Sequence, residues 1–156
     1  MKHSNLHFFL FFSLLLVLIS FSCSKEEQHP VPDIYFNFTI NLLSDAEYFR
    51  LRVQGTSVEI TTSPYGFALG YNYNGIIIYN NGDDEYYAFD RTCPHDLPEN
   101  IAVEISGDNL ATCPSCGSVY VLSSIGAPTL DSPAKWPLKK YQAIYNPNNG
   151  ELIISN

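Results

Sequence analysis

Two short loops of this chain have to meet. Cys93-Pro94-His95 and Cys113-Pro114-Ser115-Cys116 are separated by seventeen residues, and between them they hold three of the four cysteines. Three thiolates and one imidazole form a four-ligand set that selects iron–sulfur or zinc over hard cations. A site split over two loops requires the segments leading into each loop to lie side by side. The proline in each loop fixes φ and removes an N–H, which stiffens the backbone beside its ligands.

The remaining histidines lie near the N-terminus, at His3, His7 and His29, outside any predicted core. Lys2 precedes an apolar run from Phe8 to Phe21, interrupted by Ser13 and Ser20. That run is short for a bilayer span and suits the apolar region of a signal peptide. It stops at Ser22-Cys23, followed by Ser24-Lys25-Glu26-Glu27. A small residue before a cysteine at this point resembles the processing site of bacterial lipoproteins, although Ser20 stands where leucine is usual. The resemblance implies a signal peptide over 1–22 and lipidation of Cys23. A lipidated tether over 23–33 and a cell-envelope, outer-membrane-anchored location, periplasmic or surface-exposed, would follow. The acidic residues after Cys23 are similar to the export signals of Bacteroidetes-type surface lipoproteins. Ordinary secretion is the alternative.

Without residues 1–22 the chain keeps seven basic residues against sixteen acidic ones, a net charge of −9 with histidine neutral. Such acidity argues against nucleic acid as a partner. With Cys23 taken by lipid, three cysteines remain, and an odd number cannot all pair as disulfides.

From Ile34 onward the pattern is β. Tyr35, Phe36, Phe38 and Ile40 lie in an aromatic, β-branched run. Ser44-Asp45-Ala46-Glu47 matches a capping box and predicts a helical turn over 45–50. Val58 to Ile60 is a short strand. Ile76 to Tyr79 and Glu85 to Phe89 flank Asn80-Asn81-Gly82-Asp83-Asp84, a hairpin signal. Val103 to Ile105 and Leu110 to Thr112 form a second hairpin. Val119 to Leu122, Tyr141 to Tyr145 and Leu152 to Ile154 supply further strands. No long helical period appears. With 11 tyrosines and 10 phenylalanines, an aromatic-rich β core is expected. The ligand loops directly follow the strands ending at Phe89 and Thr112.

These residues resemble the Rieske iron–sulfur domain. The likeness rests on Cys93, His95, Cys113, Pro114, Gly117, Ser118 and Tyr120. It continues through Gly126 and Ser132-Pro133-Ala134-Lys135-Trp136-Pro137-Leu138, where Ser132 replaces the family's usual glycine. The resemblance covers about 34–156. It implies an all-β fold of three antiparallel sheets, with a cluster-binding subdomain (about 91–134) inserted in a base domain. It implies a [2Fe–2S] cluster with Cys93 and Cys113 on one iron, and His95 with the residue at position 116 on the other. The family has histidine at that last position and this chain has Cys116. A third thiolate adds a negative charge in both oxidation states. The potential is then expected below the Rieske range of about −150 to +300 mV, toward the roughly −400 mV of plant-type ferredoxins. Pro98 and Ser115 stand where high-potential members carry a disulfide, so the likeness is closer to ferredoxin-type domains. Ser118 and Tyr120 match residues that donate hydrogen bonds to a sulfide and a cysteine sulfur, their plainer roles being a turn serine and a core tyrosine.

The resulting expectation is an electron carrier, not a stand-alone catalyst: a monomer anchored by lipid, serving an unknown redox protein. Two rivals use the same residues. Cys93, His95, Cys113 and Cys116 are also a closed zinc set that would contribute folding free energy without redox chemistry. Alternatively Cys113 and Cys116 pair as a disulfide in a metal-free domain, leaving Cys93 free beside His95. A nucleophilic Cys93–His95 pair lacks an orienting acid, Asp96 reading as a solvated loop charge.

Overall fold

The computed structural model describes residues 28–156. The signal peptide predicted over 1–22, lipidation of Cys23, and His3 and His7 lie outside the described residues. Within them no helix is long and apolar enough to cross a membrane.

The described chain is all-β. Six strands form one antiparallel sheet: β1 (Asn37–Asn41), β2 (Ser57–Ile60), β3 (Ile76–Gly82), β4 (Glu85–Asp90), β9 (Lys140–Asn146) and β10 (Glu151–Ser155). Their order is β1-β10-β9-β4-β3-β2. Four shorter strands make a second sheet in chain order: β5 (Glu104–Gly107), β6 (Leu110–Thr112), β7 (Val119–Val121) and β8 (Ala127–Pro128). β9 joins two halves of the large sheet. Lys140 and Tyr141 pair with β4, and residues 142–146 pair with β10. The three sheets expected from sequence are these two halves and the small sheet. The small sheet is inserted between β4 and β9, which are neighbours in the large one.

The β3–β4 hairpin is buried on both faces, which is why Ile76-Ile77-Ile78-Tyr79 is an unbroken apolar run. Side chains alternate along a strand. Ile76, Ile78, Tyr86 and Ala88 join Phe38, Ile40, Leu152 and Ile154 in one core. Ile77, Tyr79, Tyr87 and Phe89 face the other way, toward Val103, Ala111, Tyr120, Leu122, Cys93 and Cys113. Full burial of such a side chain is worth about 1.5–3 kcal/mol. Asp83 and Asp84 turn the hairpin with φ of 50° and 61°. Left-handed backbone at both central residues matches the twist of the flanking strands.

The small sheet is tied to the large one by polar contacts. Glu59 accepts from the Ile105 N–H at 2.7 Å and pairs with Arg91 at 3.0 Å. Arg91 Nε donates to the Val103 carbonyl at 3.0 Å. Ser57 Oγ donates to the Asp108 carbonyl at 2.8 Å, and Arg50 pairs with the Asp108 carboxylate.

Two local expectations change. The helical turn is a 3₁₀ helix, Ala46–Arg52, but its capping box does not form. Asp45 is the N-cap, and its carboxylate accepts instead from the Asn41 N–H and the Ser44 hydroxyl, each at 2.9 Å. The tether predicted over 23–33 is docked from His29 onward. Val31 is fully buried, and His29 Nε2 bonds the Pro137 carbonyl at 3.0 Å. The His29 ring packs edge-on to Trp136. Asp33 pairs with Lys139 at 2.6 Å. The segment bends at Pro30 and Val31, where the Val31 N–H donates to His29 Nδ1 at 3.1 Å.

Candidate metal centre

The first ligand loop leaves β4 at a fixed angle because Asp90 holds three neighbours. Its buried carboxylate accepts from the Tyr71 N–H at 2.6 Å, the Thr92 N–H at 2.7 Å and the Tyr141 hydroxyl at 2.5 Å. The Cys93 N–H then bonds the Ile101 carbonyl at 2.8 Å, closing the loop at its base. The second loop closes across its own ends. Cys113 N–H bonds the Ser118 carbonyl at 2.9 Å, and Gly117 N–H returns to the Cys113 carbonyl at 3.0 Å. Gly117 sits at φ 73°, a conformation costly for a residue with a Cβ.

The loops bring three thiols together. Cys93 and Cys113 are fully buried and Cys116 is half-buried, and all three are free. Cys93 Sγ and Cys116 Sγ are 3.8 Å apart. Hydroxyls approach two of the sulfurs. Tyr120 Oη is 3.3 Å from Cys93 Sγ, and Ser118 Oγ is 3.1 Å from Cys116 Sγ. Ser118 Oγ also accepts from the Ala134 N–H at 3.0 Å, which leaves the serine hydrogen for the sulfur. Ser132, where the Rieske pattern has glycine, bonds both backbone groups of Val119 through its hydroxyl and so anchors the segment that delivers Ala134.

The fourth donor in the group is Asp96. Its carboxylate oxygen and the sulfurs of Cys93, Cys113 and Cys116 all lie within 4.8 Å of one another. Cys113 Sγ donates to Asp96 Oδ2 at 3.2 Å. His95 is exposed and stands outside this group. Burial acts to raise the Asp96 pKa, but hydrogen bonds from Cys113, Cys116 and Ser115, with the nearby His95, hold it below the ordinary carboxylate range. Burial pushes the Cys113 thiol up. The backbone N–H groups of Cys116 and Ser115 oppose that rise, while hydrogen bonds to Asp96 and Cys93 add to it. Burial, and then the hydrogen bond to Cys93, keep the Tyr120 phenol protonated far above its usual range.

The donor set fits a soft or borderline cation. A tetrahedral zinc ion with Zn–S bonds of about 2.3 Å has sulfurs roughly 3.8 Å apart. The Cys93–Cys116 separation of 3.8 Å is of that size.

No protein-family model matches the sequence, and no curated protein matches it. Two solved structures are similar in outline. One is a chain from the complex of reduced oxygenase and oxidized ferredoxin in carbazole 1,9a-dioxygenase. It is 21% identical with a TM-score of 0.42, over 65% of this chain and 82% of that one. The other is a putative NADH-dependent nitrite reductase small subunit from Mycobacterium tuberculosis. It is 16% identical with a TM-score of 0.42, over 80% of this chain and 97% of that one. Likenesses this distant carry no function, so the site stands on its own residues.

Of the residues singled out from sequence, Cys93, Cys113, Cys116, Ser118 and Tyr120 converge, and His95 faces outward beside them. Asp96, which reads from sequence as a solvated loop charge, joins the donor group instead. A signal for it was available, because Cys93-Pro94-His95-Asp96 and Cys113-Pro114-Ser115-Cys116 share one spacing.

Proposed function

We propose that this chain is a Rieske-like electron-transfer protein that holds a [2Fe–2S] cluster through Cys93, Cys113, Cys116 and a fourth ligand from the first loop, a place for which the resemblance implies His95 and the compact donor group offers Asp96. The observation that carries this reading is the convergence of three free thiols from two loop tips, with two hydroxyls directed at their sulfurs. A cluster bound there would supply a one-electron couple. The chain's own residues set its surroundings. Cys93 and Cys113 sit in the second core, away from water, while Cys116 and His95 lie on the outer side, where a redox partner would dock. Tyr120 and Ser118 donate toward sulfurs and so favour added negative charge, partly offsetting the third thiolate. The potential is accordingly low, between the Rieske and plant-type ferredoxin ranges. Lipidation of Cys23 would hold the domain at the cell envelope within reach of its partner.

Metal and acid-labile sulfide analysis of anaerobically purified protein tests the proposal, with EPR of the dithionite-reduced form. About two irons and two sulfides per chain support it. A midpoint potential well above 0 mV would refute the low-potential assignment.

The compactness of the site favours a second reading, a single structural zinc. Four donor atoms within 4.8 Å of one another suit one ion, whereas two irons spread their ligands over two centres. A colourless protein with one zinc and no iron would decide for zinc.

A further inference from the structure

The structure assigns the fourth ligand place to Asp96, not His95. This rests on the reading of the three cysteines as a metal site and deepens it.

Position is the first argument. The Asp96 carboxylate belongs to the compact donor group with all three sulfurs, and the exposed His95 ring does not. Loop geometry is the second. Both loops run Cys-Pro-x-donor, so each offers its donors at positions i and i+3 around a rigid proline. The two donors of the second loop, Cys113 and Cys116, are in the group, and their equivalents by spacing in the first are Cys93 and Asp96. Charge is the third. No lysine or arginine pairs with Asp96 among the ion pairs of the described residues. A carboxylate packed among three thiols, with only the outward His95 nearby, is stabilised by a cation that also takes the thiol protons' places. Carboxylate oxygen is an ordinary zinc ligand, and its extra negative charge makes a cluster harder to reduce than an imidazole would.

Cobalt(II) alone is the probe, added to the full folded domain, with binding read from thiolate-to-cobalt absorption and competition against a chelator. His95→Ala should keep wild-type stoichiometry and affinity within a few-fold. Asp96→Ala should bind at least about tenfold more weakly. Asp96→Cys should restore tight binding with a stronger thiolate band, which separates ligand loss from misfolding. In iron–sulfur-loaded wild type, pulsed EPR should lack strong histidine nitrogen coupling. Loss of cobalt in His95→Ala with retention in Asp96→Ala would overturn the assignment and leave the three-thiolate site standing. Failure of the wild type to bind cobalt, zinc or iron would overturn the site itself and this assignment with it.

Discussion

The two cores of this molecule are built from different materials. The large-sheet core is closed by aliphatic and aromatic side chains from β1, β3, β4, β9, β10 and the 3₁₀ helix, with Phe38, Ile40, Leu42, Leu51, Leu152 and Ile154 almost wholly buried. The small-sheet core borrows one face of β3 and β4 and sets two cysteines among Val103, Ala111, Tyr120, Leu122, Ala134 and Leu138. Its own strands bury little: β5 is mostly exposed, and β6 and β7 each bury one central side chain, Ala111 and Tyr120. Cys93 and Cys113 occupy core positions there. One core is wholly apolar and aromatic in character, and the other adds a thiol cluster to its apolar side chains.

Removal of a metal bound by the three cysteines, as proposed, should break that contrast most sharply. A bound metal at such a site contributes folding free energy, on the order of 10 kcal/mol for structural zinc in small domains. Chelation should therefore raise amide exchange across β5–β8 by at least about tenfold, while β1 and β10 keep their protection. Equal loosening of both sheets, read by hydrogen exchange, would mean that the cores are not independent. Next in size is Phe38→Ala in the large-sheet core, which should cost about 3–5 kcal/mol in denaturant unfolding with or without metal. A loss that appears only in the metal-bound form would contradict the division.

Ser118→Ala removes the acceptor for the Ala134 N–H and the hydroxyl beside Cys116. It should cost about 1–3 kcal/mol and lower the midpoint potential of a bound cluster. Unchanged stability and potential would show that the hydroxyl acts on neither. The smallest effect belongs to the far side of the large sheet. Burial, then the neighbouring Tyr145 and Asp84, push the Tyr86 phenol up to about 12. The folded state thus holds that proton more tightly than the unfolded chain, whose tyrosines titrate near pH 10. This contribution is complete below about pH 10 and is lost as pH rises toward 12. A Tyr86→Phe variant should show a shallower stability decline over that window, and a decline as steep as wild type would remove Tyr86 as its source.

Much of the fold was legible where local and tertiary preferences agree. The β3–β4 hairpin carries apolar runs on both sides of a turn that needs left-handed backbone, and its residues supply both. β8 was not legible, because two residues pair with β7 only once the ladder through Tyr120 and Val121 exists. The docking of residues 29–33 was hidden for a similar reason, since the Pro137 carbonyl and the Trp136 ring that meet His29 lie far along the chain. At the site, the cysteines stood out by type. Asp96 did not, because an aspartate in a polar loop is indistinguishable from a solvated charge until the second loop arrives beside it.

Iron, zinc and acid-labile sulfide content of the anaerobically purified chain, read with EPR after dithionite reduction, tests the central claim most directly. The account predicts about two irons and two sulfides per chain, with a spin-half signal that disappears on oxidation. A protein with one zinc and no iron, or one whose three thiols take up neither metal, would contradict it.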